Sequence, residues 1–182
     1  VVLEDGSQET LQRELADAAA LLVAIEPRVT AALIAAAPQL RHIARQGVGV
    51  DIVDVKAATE RGIVVTNVPD VTSDSVAEFA MTLLLALAKN IVRCDQAVKG
   101  GRWADRLTLI RSNCELAGKT HGIVGLGRIG SRVAGRCRAF GMQLLYHQRH
   151  RDPDVEASVG ATYVPLETLL RESDSISLHL PL

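Results

Sequence analysis

Three glycines in the second half of the chain have the spacing of a diphosphate-binding turn. Gly125, Gly127 and Gly130 form the pattern G-x-G-x-x-G, directly after an apolar run and at the start of an amphipathic stretch. In such a strand-to-helix elbow the first glycine makes the tight turn, the second lets the backbone approach a diphosphate, and the third allows close helix packing. The free amides and the dipole of the following helix would hold the phosphates. We therefore predict a dinucleotide-binding site at this elbow.

A second position bears on which dinucleotide is bound. About 20 residues beyond the glycine motif, an acidic residue usually bonds the ribose 2′-hydroxyl. Here that position is Gln148, and Arg149, His150 and Arg151 follow it. Because no carboxylate repels a 2′-phosphate and two cations stand nearby, we expect NADP(H) to be preferred over NAD(H), and Gln148→Asp to reverse the preference. The alternative is that these residues are merely solvated loop charges.

The elements that must position these residues follow an α/β rhythm in two parts. The first part contains predicted strands at 21–25, 40–44 and 63–66 and predicted helices at 29–37 and 53–61. The second contains strands at 120–124, 143–147, 161–164 and 175–180 and helices at 128–140 and 166–171. Strands separated by helices need crossover connections, so the second part should form a parallel sheet covered on both faces. We place a domain boundary near Asp70.

The strongest predicted helix covers residues 75–91, between the two parts. Ser75 and Glu78 have the spacing of a capping box, in which each side chain satisfies a free backbone amide of the other residue. Apolar side chains occupy nearly the whole helix surface, so solvent should cover little of it. We expect this helix to be buried, partly against another subunit.

Composition narrows the class of protein. A formal net charge of −1 gives no general attraction to nucleic acid or to an anionic membrane. Wholly apolar runs, such as residues 83–88, are far shorter than the roughly 20 residues of a bilayer span. Cys94, Cys114 and Cys137 lack C-x-x-C spacing, which favours neither a disulfide framework nor a zinc site. We therefore expect a soluble, cytoplasmic protein with neither nucleic acid nor membrane as a partner.

Several segments, in this order, resemble the D-isomer-specific 2-hydroxyacid dehydrogenase family along nearly the whole chain. They are ARQGVGVD at 44–51, AATERGIVVTNVP at 57–69, VAE at 76–78, LAGKT at 116–120 leading into the glycine motif, and SLHLPL at 177–182. The resemblance implies an α/β protein of two incomplete domains. Residues 1–70 would be part of a flavodoxin-like substrate domain, and residues 71–182 the first half of a Rossmann NAD(P)-binding domain with a doubly wound parallel sheet.

The resemblance also implies roles for individual residues. Backbone amides of Val48 and Gly49 would bind the substrate carboxylate, and Val76 would lie near the nicotinamide ring. The cofactor would further contact the glycine elbow at Gly125, Gly127, Arg128, Ile129 and Gly130, the ribose position at Gln148 and Arg149, and the adenosine position at Leu180 and Pro181. The family's catalytic Arg, Glu and His would lie beyond Leu182. We therefore assign no catalytic residue among 1–182 and expect this stretch alone to be inactive.

The activity implied by the resemblance is hydride transfer between NAD(P)(H) and a 2-oxo acid or D-2-hydroxy acid, in a homodimer. Two other functions remain open for the same fold. One is a non-catalytic, dinucleotide-sensing module similar to transcriptional corepressors. The other is a dehydrogenase of the formate or phosphite type, with the same cofactor and another substrate pocket. The fold alone does not choose among them.

Overall fold

The chain divides into two compact units. A computed structural model describes residues 7–180, and the units are Val1–Thr72 and Ser73–Leu182. This division falls shortly after Asp70, the position of the expected boundary.

The first unit is a small parallel sheet with helices. Strands β1 (Ala20–Val23), β2 (His42–Arg45) and β3 (Val64–Thr66) pair in the order β1-β2-β3. Helices α1 (Gln8–Leu15), α2 (Ala31–Ala35) and α3 (Val55–Glu60) lie before or between them. Consecutive strands lying side by side agree with the run 3-4-5 of a flavodoxin-like sheet, whose order is 2-1-3-4-5.

Each helix of the first unit begins at a polar capping residue. The side chains of Ser7, Thr30 and Asp54 accept a hydrogen bond from a backbone amide of the first turn. Such caps satisfy amides that have no partner within the helix. The helices then bury Leu33, Ile34 and Ala58 around Ile43 of the central strand.

The second unit contains a four-stranded parallel sheet of order β6-β5-β4-β7. Its strands are β4 (Thr120–Val124), β5 (Gln143–His147), β6 (Thr162–Tyr163) and β7 (Ser175–Leu178). In chain order this is third, second, first, fourth, which matches the first four positions of the Rossmann order 3-2-1-4-5-6. The predicted α/β fold with a Rossmann-type parallel sheet is confirmed.

Helices precede and connect these strands. Before the sheet come α4 (Ser73–Ala88), α5 (Ile91–Lys99), a 3-10 turn (Trp103–Asp105) and α6 (Arg106–Arg111). Helices α7 (Arg128–Ala139), α8 (Pro153–Val159) and α9 (Leu166–Glu172) connect successive strands. Helix α4 packs against α7, and Asp74 of α4 joins Arg132 and Arg136 of α7 in ion pairs of 3.2 and 3.0 Å.

Helix α4 differs from its prediction at both ends. It begins at Ser73, so Ser75 lies inside the helix and the predicted capping box is wrong; Glu78 instead lies 3.5 Å from the guanidinium of Arg136. It ends at Ala88 because Asn90 adopts the left-handed conformation, with φ 51° and ψ 34°. Its outer stripe is also less buried than expected, with 42% to 78% exposure at Val76, Phe79, Leu83 and Leu87.

Five short elements of the described chain were not predicted from the sequence: α1, α5, the 3-10 turn, α6 and α8. For α8 the boundary signals were present, because Asp152 caps the helix, Pro153 is its first residue, and Gly160 ends it in a left-handed conformation. A helix of 7 residues shows little periodicity, and only the boundary signals could have found it.

Among residues 7–180, no single helix is long and apolar enough to cross a bilayer. Helices α4 and α5 meet the length and composition requirement only together, as a pair bent by 61°.

Candidate functional site

The glycine elbow has a separate steric reason for each of its glycines. Gly125 has φ 95°, and a Cβ there would lie 2.6 Å from the carbonyl oxygen of His179. A Cβ on Gly130 would overlap the carbonyl oxygen of Gly125, so the third glycine lets α7 approach the turn. A Cβ on Gly127 would meet nothing within 4 Å. The fold therefore requires glycine at 125 and 130 but leaves open space at 127.

That space adjoins unpaired backbone amides. The amide of Gly125 donates to His147 at 2.9 Å, whereas those of Gly127, Arg128 and Ile129 have no backbone acceptor within the described part of the chain. Gly127 is the N-cap of α7, so these amides lie at the N-terminal end of the helix, where the helix dipole is positive. An open cradle with free donors at the positive end of a helix suits a dinucleotide diphosphate.

Gln148 supports this elbow directly. The amide of Leu126 donates to Oε1 of Gln148 at 2.9 Å, and Nε2 of Gln148 donates to the carbonyl of His150 at 2.7 Å. The side chain thus joins the elbow to the loop that follows β5. The shorter side chain of Gln148→Asp would lose both contacts, so this substitution would disturb the elbow as well as add a charge.

The two arginines of the loop differ in their surroundings. Arg149 is exposed and makes no side-chain hydrogen bond or ion pair to any residue from 7 to 180. Arg151 donates from Nε and Nη2 to the two carboxylate oxygens of Glu156, both at 2.8 Å. This hydrogen-bonded pair lowers the pKa of Glu156 and raises that of Arg151. Of these two arginines, only Arg149 carries a positive charge without a partner in the described structure.

The remaining residues expected at the cofactor are partly described. Cδ2 of Leu180 would lie 3.0 Å from a Cβ on Gly125, which places this half-exposed side chain beside the elbow. Val76 lies on α4 with 42% of its surface exposed. Pro181 lies outside the described residues.

The Val48 and Gly49 loop belongs to the first unit. Nδ2 of Asn67 donates to the carbonyl of Val48 at 2.7 Å, and the amide of Val68 donates to the carbonyl of Gly47 at 3.1 Å. The loop is thereby fixed by the segment after β3. The amides of Val48 and Gly49 have no backbone acceptor among the residues described, which leaves them available to an anion.

Arg45, which lies beside this loop, was not predicted as a site residue from the sequence. The guanidinium packs against Gly47, where an added Cβ would lie 2.6 Å from Nη1. Its Nε is buried without a hydrogen-bond partner in the described structure. The available signal was its position at the end of β2, directly before the glycine-containing loop.

The buried His121 of β4 and the partly buried His179, directly after β7, share a hydrogen-bonding serine of β7. His121 has one ring nitrogen 2.8 Å from the Ser175 hydroxyl and the other 2.9 Å from the Ser177 hydroxyl. His179 contacts the same Ser177 hydroxyl at 2.8 Å. Burial, aided by the nearby His179, lowers the pKa of His121 to about 4. A neutral histidine that is hydrogen-bonded to two serines of the neighbouring strand stabilises the sheet, and we assign it no part in catalysis.

The fold and the elbow together define a dinucleotide-binding α/β protein, and comparison with known proteins defines the family. Residues 81–182 match the family model described as D-isomer specific 2-hydroxyacid dehydrogenase, NAD binding domain. The chain therefore belongs to the D-isomer-specific 2-hydroxyacid dehydrogenases.

Individual relatives agree with this assignment. A glyoxylate reductase of Aeropyrum pernix is 46% identical over 96% of this chain and 53% of its own length. The D-lactate dehydrogenase of Aquifex aeolicus, solved with NAD and lactic acid, is 35% identical with a TM-score of 0.84, over 94% of this chain and 50% of that one. A Granulicella formate dehydrogenase is 33% identical with a TM-score of 0.86, over 93% and 46%. The chain spans about half the length of the curated relatives it matches.

Proposed function

We propose that the protein is an NAD(P)-dependent oxidoreductase that transfers hydride between a nicotinamide dinucleotide and a small 2-oxo or D-2-hydroxy acid. The observation that carries this proposal is the open elbow at Gly127, with three amides that lack backbone acceptors in the described structure. Membership of the dehydrogenase family and the 46% identity to a glyoxylate reductase support it. The glyoxylate reductases, at 46% and 45% identity, do not favour the corepressor-like alternative or the formate and phosphite alternative.

Each unit would contribute a different part of the reaction. In the second unit, the amides of residues 127–129 would hold the diphosphate, and Leu180 and Pro181 would adjoin the adenosine. The nicotinamide would supply or accept the hydride, with Val76 beside its ring. In the first unit, the amides of Val48 and Gly49 would bind the substrate carboxylate. The domain limits 1–70 and 71–182 are part of this proposal.

We further propose that NADPH is preferred to NADH, with Arg149 as the residue responsible. Its charge is exposed and has no partner among residues 7–180, and no carboxylate occupies position 148. A 2′-phosphate carries close to two negative charges and a 2′-hydroxyl none. At a few ångströms near a protein surface, one added charge contact contributes about 1 to 4 kcal/mol.

The test combines binding with turnover. Fluorescence titration of the purified protein should show a lower Kd for NADPH than for NADH. Arg149→Met should weaken NADPH binding about tenfold and leave NADH binding unchanged, whereas Arg171→Met on α9 should change neither. Full-length protein should oxidise NADPH in the presence of glyoxylate or hydroxypyruvate. Absence of binding by either dinucleotide would contradict the proposal, and tighter binding of NADH would contradict only the preference.

The remaining proposals concern the cellular compartment and the oligomeric state of the protein. Free thiols at all three cysteines are compatible with a reducing cytoplasm. The exposed apolar stripe of α4 supports a homodimer.

A further inference from the structure

The loop after β5 is tied down at both ends by side chains. At its start, Gln148 is held by the amide of Leu126 and by the carbonyl of His150. At its end, Arg151 forms a bidentate hydrogen-bonded ion pair with Glu156 of α8. Arg149 and His150 lie exposed between these anchors. The orientation and net charge of the loop therefore depend on Glu156 as well as on the loop's own residues.

In the Arg151 and Glu156 pair the carboxylate side is shielded from solvent, whereas the side chain of Arg151 is 58% exposed. Only 14% of the Glu156 side chain is exposed, and the hydroxyl of the buried Tyr146 donates to Oε2 at 3.1 Å. The guanidinium of Arg151 also lies over the ring of Tyr163, 5.7 Å from its centre. A bidentate arginine–carboxylate pair is strong and directional, and the low exposure of the carboxylate reduces the screening of the pair by salt. Arg151 is thus both neutralised and held in place.

We propose that Glu156 is a specificity-determining residue that weakens the selection of a 2′-phosphate over a 2′-hydroxyl by occupying the guanidinium of Arg151. This inference rests on the proposed dinucleotide site. Glu156 opposes the 2′-phosphate twice, because its own charge repels the anion and because it withdraws one of the two loop cations. A 2′-hydroxyl carries no charge, so binding of NADH responds to both effects much less than binding of NADPH does.

The test is the ratio of the Kd for NADPH to the Kd for NADH in Glu156→Gln. Glutamine keeps the length of the side chain and an acceptor for Arg151 but removes the charge. We expect the ratio to fall by about three- to tenfold, through tighter NADPH binding. In Arg151→Met/Glu156→Gln most of this gain should disappear, because the released cation is missing.

A matched control separates local from general effects of charge. Glu172 pairs with Arg171 at 2.9 Å on α9, so Glu172→Gln also neutralises one carboxylate of an Arg–Glu pair. Its Kd ratio should equal that of the unmodified protein. Urea unfolding of each variant confirms that folded protein is compared.

The possible results separate this inference from the proposed function. An unchanged or increased ratio in Glu156→Gln would overturn the role of Glu156. Full retention of the gain in the double variant would overturn the part assigned to Arg151. If the unmodified protein bound neither dinucleotide, the proposed function would fail first, and this inference with it.

Discussion

Gly127 and Gly130 are glycines of the same motif, yet the structure gives different reasons for glycine at the two positions. Glycine at 130 is required by the fold, because any Cβ there would overlap the Gly125 carbonyl oxygen. At position 127 the backbone has φ −80°, which all L-residues adopt, and a Cβ would meet nothing within 4 Å. The space at 127 is therefore not needed for folding, and we attribute it to the ligand.

This difference gives a prediction at the scale of single residues. Gly127→Ala should leave the free energy of unfolding within about 0.5 kcal/mol of the original but weaken NADPH binding roughly tenfold or more, because the added methyl group fills the phosphate cradle. Gly130→Ala should lower the free energy of unfolding by about 1 to 3 kcal/mol through overpacking. Urea unfolding and fluorescence titration measure the two effects. Unchanged NADPH affinity in Gly127→Ala would show that the ligand does not approach this point.

At the scale of elements, the contact between β4 and β7 depends on polar as well as apolar groups. His121 is 2% exposed and joins two serines of β7. Nearby, Asp174 accepts hydrogen bonds from the Thr120 amide at 2.9 Å and from Lys119 at 3.1 Å. The strand pair is thus fixed along its length by side chains that titrate.

The low pKa of His121 links folding to pH. The folded state holds the pKa of His121 at about 4, so the ring stays neutral down to about that pH, whereas in the unfolded chain it takes up a proton near the ordinary histidine pKa of 6.5. The unfolded state therefore binds more protons between these values, and stability is full above pH 6.5 and falls as the pH decreases towards 4. Between pH 7.5 and 4.5 this effect amounts to about 2 to 3 kcal/mol.

We predict that His121→Gln will remove most of this dependence. Urea unfolding at the two pH values should show a loss on acidification that is smaller by about 2 kcal/mol than in the original protein. The matched control is His150→Gln, since His150 is exposed on the loop after β5. An equal acid-induced loss in the original protein and in His121→Gln would show that His121 takes up its proton near the ordinary pH when folded.

At the scale of the whole molecule, the outer face of α4 bears on the oligomeric state of the protein. Its side chains Val76, Phe79, Leu83 and Leu87 follow one another at helical spacing and remain substantially exposed. Apolar stripes of this kind commonly mark a protein interface.

Light scattering should therefore give the mass of a dimer. Phe79→Glu places a charge in the centre of the stripe and should shift the protein to a monomer, because the charge would be desolvated in the interface. Leu170→Glu changes a side chain of similar exposure on α9 and should leave the mass unchanged. A monomer at high concentration in the unmodified protein would contradict the proposed homodimer.

The sequence determined the features that arise from local chemistry. Strands β4 and β5 were predicted with their observed limits, because each contains adjacent apolar residues, Ile123 and Val124 in β4 and Leu144 and Leu145 in β5, in a short segment bounded by turn residues. The tight turn at Gly125 and the close packing at Gly130 followed from motif spacing, since only glycine meets those local demands. The parallel sheet followed from the alternation of strands and helices.

Only the tertiary structure decided what depends on residues distant in the chain. The capping box of α4 was wrong because the start of that helix is fixed by its packing and by ion pairs with α7. Arg149 and Arg151 differ because Arg151 pairs with Glu156 of α8. The sequence did not predict this pair, since α8 is too short to show a helical pattern. The same holds for His121 and its serines, which lie on strands that are neighbours in space and far apart in the chain. A sequence shows which groups are present, whereas their pairing is set by the free energy of packing the whole unit.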